Sequence, residues 1–276
     1  MQRKEMAVRN CVIVLLVAAS FAASVLTAGA EEAGKIQDNS FLLEVAYNQE
    51  DGVVQHIQTW MYIKKTKSWL YTFTQEWPVP KQTHQLSYSI PVAHVVEGQP
   101  ETGLGDAALN YRYQLLMAGP YALAPRISVL LPTGDYKKGM GSGATGYQVN
   151  IPFSMELSDE WVTHWNAGMT FTPGAKEPGG ATADTTGYNL GASVIWLTSE
   201  TFNLMTEIAF NRFQTVQPDG GRAWEETFFV NPGMRFAMNY RSGLQVVPGL
   251  AFPVGIGTSH GEYGVFLYLS FEHPLF

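Results

Sequence analysis

The sequence predicts an all-β protein, an antiparallel transmembrane β-barrel of about twelve strands with both chain ends on the periplasmic side. Three observations predict it. The first is strict alternation, clearest at Tyr147–Leu157. There Tyr147, Val149, Ile151, Phe153, Met155 and Leu157 are large and apolar, and Gln148, Asn150, Pro152, Ser154 and Glu156 are not. Successive side chains of a strand point to opposite faces, and a tilted strand of roughly 9–11 residues crosses a bilayer. The second is composition. Aromatic residues make up 13% of the chain and charged residues only 15%, against about 25% in ordinary soluble domains. Mean hydropathy is nevertheless close to zero, as expected when one face of each strand meets lipid and the other meets water. The third is that short turns alternate with long, glycine-rich loops along the chain.

The first thirty residues read as a secretory signal. Arg3, Lys4 and Arg9 precede an apolar run that starts at Cys11, and Ala28-Gly29-Ala30 fits a small-x-small cleavage site. Removing residues 1–30 leaves 14 basic and 23 acidic residues, a net charge of about −9, which argues against nucleic acid as a partner. The only cysteine, Cys11, leaves with the signal. The remaining chain then has no disulfide, thiol nucleophile or cysteine metal site. No stretch beyond the signal approaches 18 consecutive apolar residues, so a helical membrane protein is excluded.

Residues 31–52 are expected to form an N-terminal periplasmic segment, and residues 53–276 the barrel. Within the former, Phe41-Leu42-Leu43 with Val45 and Tyr47 fits either a short helix or a strand at the periplasmic edge. The predicted strands then follow in order: 53–63, 69–77, 85–95, 106–116, 121–131, 147–157, 161–171, 188–197, 202–213, 226–240, 244–254 and 263–271. The tenth shows the pattern well, with Phe228, Val230, Met234, Phe236, Met238 and Tyr240 opposite Thr227, Asn231, Arg235 and Asn239; the eighth alternates poorly. Short turns fall at 118–120, 158–160, 199–200 and 241–243. Long loops fall at 132–145, 173–187, 214–225 and 255–262. Prolines 125, 152, 232, 248 and 253 lie inside predicted strands, where each removes a ladder donor. Locally bent strands are expected near them. The aromatics near strand ends, among them Trp60, Trp69, Trp77, Trp161 and Tyr263, are expected to form girdles at the two membrane interfaces.

Several segments resemble the MetA-pathway-of-phenol-degradation family: SFLLEVAYNQEDGVVQHIQ (40–58), GLGDAALNYRYQLL (103–116), ISVLLPTGD (127–135) and YLSFEHPLF (268–276). The resemblance implies a barrel in a Gram-negative outer membrane that takes up small, often aromatic, compounds. It implies no catalytic residues. Phe276 resembles the terminal aromatic that marks such barrels for assembly, although Leu267, Leu269 and Phe271 are in the opposite phase.

Strand phase points seven ionisable side chains into the lumen: Glu76, Asp106, Arg112, Arg126, Glu156, Glu207 and Arg235. Such groups at bilayer depth need an aqueous or paired interior. They fit a constriction lined by both signs of charge, or a network of ion pairs that fills the barrel. No histidines show metal-ligand spacing, and there is no GxSxG. Ser259-His260 is the only adjacent serine–histidine pair and sits on a predicted loop. The Gly139–Gly146 loop is followed by neither a helix nor GK[ST], so it is no phosphate cradle and reads as a flexible or inward-folding loop. The expectation is an outer-membrane channel or transporter for passive uptake of small molecules, with a closed structural or adhesive barrel as the alternative. Neither an enzyme nor a cofactor is expected. The expected partners are outer-membrane lipid and lipopolysaccharide, the barrel-assembly machinery and a small-molecule solute.

Overall fold

The computed structural model describes residues 39–96 and 100–275; the expected signal peptide and Phe276 lie outside them. Alternation becomes strands at nearly every predicted place. The first three are Val53–Ile63, Ser68–Pro78 and His84–Val95. The fourth is built from Glu101–Leu104, Ala107–Tyr113 and Leu116–Ala118, and the fifth from Tyr121–Leu123 and Arg126–Leu131. Gly146–Glu156, Trp161–Lys176, Thr182–Ser199 and Phe202–Val216 are the sixth to ninth. The tenth joins Arg222–Phe236 to Met238–Asn239, the eleventh joins Gln245–Ala251 to Val254–Gly255, and the twelfth is Gly264–Pro274. Each strand pairs antiparallel with its sequence neighbours. The first pairs with the last along its whole length, from Val53–Pro274 to Ile63–Gly264, and this closes a twelve-stranded barrel. Closure leaves no strand edge unpaired, as a bilayer requires.

The barrel is inverted relative to a soluble protein. Large apolar side chains stand on the outer wall, with Leu109, Ile127, Tyr147 and Leu190 each more than half exposed. Polar side chains fill the inside: Ser154, Glu207, Asn231 and Arg235 are at most 1% exposed. Trp161 and Trp196 stack 5.8 Å apart on the outer wall at the end of their strands that leads to short turns, where a girdle is expected.

Two departures from the sequence reading have physical causes. The seventh to tenth strands run several residues further toward the long loops than alternation indicated. From the level of Tyr188 the outward rows become mixed, with Arg212, in register with Tyr188, 3.4 Å from Glu226 and stacked on Trp224, so the rows leave the lipid and the apolar period ends there. The five prolines do not all bend strands. Pro125 and Pro253 interrupt theirs, whereas Pro152, Pro232 and Pro248 sit within continuous segments. Two of these face the interruptions. Ala124 N–H donates to Pro152 O, and Phe252 N–H to Pro232 O. The donor that each ring lacks would therefore have pointed at a stretch of neighbour already out of the ladder.

The 132–145 loop is pinned to the rim. Asp106 accepts from Gly134 N at 3.0 Å and from both N and Oγ of Ser142 at 2.7 Å. Met140 is buried against Gly103 and Gly105.

The expectation of a periplasmic segment fails for residues 39–49. They form neither helix nor strand and pass through the inside of the barrel. Their place follows from where their backbone hydrogen bonds go.

Candidate functional site

A chain segment inside a barrel must find partners for its N–H and C=O groups, because leaving them buried and unpaired costs about 1–3 kcal/mol each. Residues 39–49 find them on side chains of the inward rows. Leu42 N donates to both oxygens of Glu207, at 3.0 and 3.2 Å. Glu44 N donates to Asn166 Oδ1 at 3.0 Å, and Glu44 O accepts from Asn166 Nδ2 at 2.7 Å. Ala46 N donates to Ser154 Oγ at 2.8 Å. Asn48 N donates to Gln114 Oε1 at 2.8 Å, while Gln114 Nε2 donates to Ala46 O at 2.7 Å. Gln49 N donates to Gln85 Oε1 at 2.7 Å. The Asn166 and Gln114 amides each bond one N–H and one C=O of the segment, the pattern that a neighbouring strand would supply.

Two arginines hold three further carbonyls. Arg112 donates Nη1 to Val45 O at 3.1 Å, Nη2 to Tyr47 O at 2.6 Å and Nε to Asn48 Oδ1 at 2.7 Å. Arg235 donates to Asn39 O at 2.7 Å. Guanidinium supplies five donors in a fixed plane, so one residue can cap several carbonyls.

Apolar side chains of the segment sit in sockets. The Phe41 ring lies 5.5 Å from both Phe266 and Tyr268, in a cluster with Ile57, Ile195, Met205 and Val247. Gly233 and Gly249 make its space, since a Cβ at either would stand 2.5 Å from the ring. Gly191 does the same for Leu43. Tyr47 meets the His164 ring edge-on at 6.3 Å, and His164 Nδ1 is 2.7 Å from Ser154 Oγ. This serine–histidine contact is wholly buried and its hydroxyl already accepts from Ala46, so it is a strut for the segment. Ser259 Oγ accepts from Phe228 N at 3.1 Å.

The seven residues singled out by phase divide as follows. Arg112, Arg126, Glu207 and Arg235 bind the internal segment. Arg126 forms a bidentate pair with Glu44, at 2.6 Å to Oε1 and 2.9 Å to Oε2, and also donates to Asn110, Gln148 and Ser128. Glu76 accepts from Gln85 Nε2 at 2.7 Å and lies 3.9 Å from Arg112. Glu156 is half-buried and acts electrostatically on the Tyr47 phenol. Asp106 holds the 132–145 loop instead. Charge alone did not single out Gln85, Gln114, Ser154 and Asn166, which are uncharged. Their signal was an amide or hydroxyl in the inward phase.

Beside the segment lies a cavity of about 730 Å³. Leu42, Leu43 and the Glu44–Arg126 pair form one side. Amides and hydroxyls such as Gln148, Thr172, Asn189 and Asn211 form the wall, with Phe213 and Phe229 among them. A second space of about 290 Å³ lies across the same pair, lined by Thr59, Thr74, Ser87 and Asn110.

Solved structures share this architecture. The COG4313 outer membrane channel from Pseudomonas putida F1 matches with a TM-score of 0.58 over 87% of this chain and 99% of its own, at 12% identity. The NanC porin matches at 0.52 over 79% of this chain and 98% of its own, at 8% identity. The fold is that of an outer-membrane barrel. No family model matches the chain and no curated protein matches its sequence.

Proposed function

We propose that this chain is a channel of the bacterial outer membrane for passive uptake of small molecules, hydrophobic or aromatic ones included, and that residues 39–49 form its constriction. One observation carries the reading. The segment that narrows the lumen is seated in it by side chains of the inward rows, and it leaves a cavity of about 730 Å³ on one side and about 290 Å³ on the other, with the Glu44–Arg126 pair between them. Twelve strands lie between the filled eight-strand barrel and the open sixteen-strand porin, so one extended chain is enough to narrow such a lumen. The apolar outer wall, the polar interior and the likeness in fold to a channel and a porin support the same reading, as does the resemblance of Ser40–Gln58 and Gly103–Leu116 to phenol-degradation barrels. The cavity wall mixes hydroxyls and amides with Leu42, Leu43, Phe213 and Phe229, which suits a solute with an apolar body and a few hydrogen-bonding groups. The inward rows are occupied in holding the segment, which supports a role in passage and not in catalysis.

The filled lumen also favours a second reading, a closed structural or adhesive barrel. Swelling of proteoliposomes in solutes of graded size separates them. Swelling faster than in protein-free liposomes, with an upper size limit, supports the channel. A folded barrel whose liposomes exclude every solute supports the closed scaffold.

A further inference from the structure

The outer wall departs from its apolar pattern on the first three strands. The outward row of the second strand reads Trp69, Tyr71, Phe73, Gln75, Trp77, with a tryptophan at each end. Tryptophans in such positions mark the two bilayer interfaces. Gln75 lies between them, and so does Gln58 of the first strand, which is in register with Phe73. Gln55 and Ile57 are buried in the interior, which leaves Gln58 facing out. The corresponding rows of the sixth and twelfth strands are apolar: Val149, Ile151 and Phe153 on the sixth, and Leu267, Leu269 and Phe271 on the twelfth.

An amide facing hydrocarbon is costly unless its polar atoms are bonded. The two oxygens are. Tyr71 Oη donates to Gln58 Oε1 at 3.1 Å, and Tyr88 Oη donates to Gln75 Oε1 at 2.7 Å. The two Nε2 groups have no hydrogen-bond partner among the described residues, and both side chains are partly open to the outside. Next to them His56 and His273 stack at 5.4 Å, and Phe73 stacks on His56.

We propose that this face of the first to third strands docks a second copy of the chain within the membrane. The patch is its own complement. It carries two amide groups with donors to spare and two phenol oxygens, on Tyr71 and Tyr88, each of which gives its proton to a glutamine and keeps lone pairs that can accept. A two-fold axis along the bilayer normal sets this patch against itself, so that amide donors of each copy face a surface carrying phenol acceptors, the self-complementarity that an isologous interface needs. Acyl chains offer no acceptor at this depth, and headgroups lie beyond the tryptophans.

The test uses the full chain with Cys11→Ser, expressed in outer membranes and given one new cysteine. Under mild oxidation Phe73→Cys, at the centre of the patch, gives a covalent species of twice the chain mass. Met169→Cys, outward on the seventh strand across the barrel, gives none. Adding Gln58→Leu and Gln75→Leu to Phe73→Cys lowers the dimer yield by roughly tenfold or more, while the barrel keeps its heat-modifiable mobility. Three results overturn the proposal: no dimer from a folded Phe73→Cys barrel, a dimer yield unchanged by the two leucines, or an adduct with the mass of a different protein. None of these outcomes depends on whether the lumen conducts.

Discussion

Arg112 and Arg126 both bind the internal segment, but their surroundings give them different weight. The Arg112 side chain is almost wholly buried, and it holds two backbone carbonyls, Asn48 and Gln85 at once. Its removal takes a donor from each of those acceptors and the neighbouring positive charge from the Glu76 carboxylate. Arg112→Ala is therefore expected to cost about 3 kcal/mol or more, read as a shift of the urea midpoint of the refolded barrel in detergent. Arg126 and Glu44 are more exposed, at 14% and 29%. Arg126→Ala is expected to cost only about 1–2 kcal/mol, so equal losses in the two variants would contradict this ranking. Gly249 is a socket. A Cβ there would stand 2.5 Å from Phe41 Cε1 and 3.2 Å from Tyr268 Cβ. Gly249→Val is expected to push Phe41 out and make residues 39–49 of the folded barrel cleavable by added protease. A segment that stays protected would show that the socket can yield.

At the scale of the strand, alternation carries the information, and it carries it only where the two faces meet different solvents. That is why Val53–Ile63 was legible to the residue and Thr182–Ser199 was not: above the membrane both faces of the eighth strand are wet. Prolines are the test of how the ladder is built. Pro152 sits opposite the interruption at Ala124 and Pro125. Restoring its missing donor with Pro152→Ala is expected to change stability by less than about 1 kcal/mol. Proline at Ala167, inside the uninterrupted run between Ile151 and Leu190, is expected to cost about 3 kcal/mol or more. Urea unfolding of both variants checks the pair, and similar losses would mean that the break beside Pro152 plays no part.

For the whole molecule, the barrel was readable from sequence and the segment inside it was not, for the same reason. Every strand has one face in lipid, and so a period of two. Residues 39–49 meet barrel wall in several directions and the cavities in others: Phe41 enters an apolar socket, Leu43 faces Gly191, Tyr47 meets His164, and the backbone between them is held by amides and arginines. No face of that segment meets a single solvent, and no period results. The inward direction of Arg112, Arg126, Glu207 and Arg235 could be inferred from parity. Their partners could not, because those partners are backbone and side-chain atoms of a stretch without pattern, up to 196 residues away in sequence.

The most direct measurement is single-channel conductance of the refolded barrel in a planar bilayer, with and without residues 31–49. The full chain is predicted to show small or rare openings. The shortened chain is predicted to show large, steady ones, whose ion selectivity moves in opposite directions on Arg112→Ala and Glu207→Ala. A shortened chain that folds, keeps its heat-modifiable mobility and conducts no more than the full chain would contradict the assignment of residues 39–49 as the constriction of a channel.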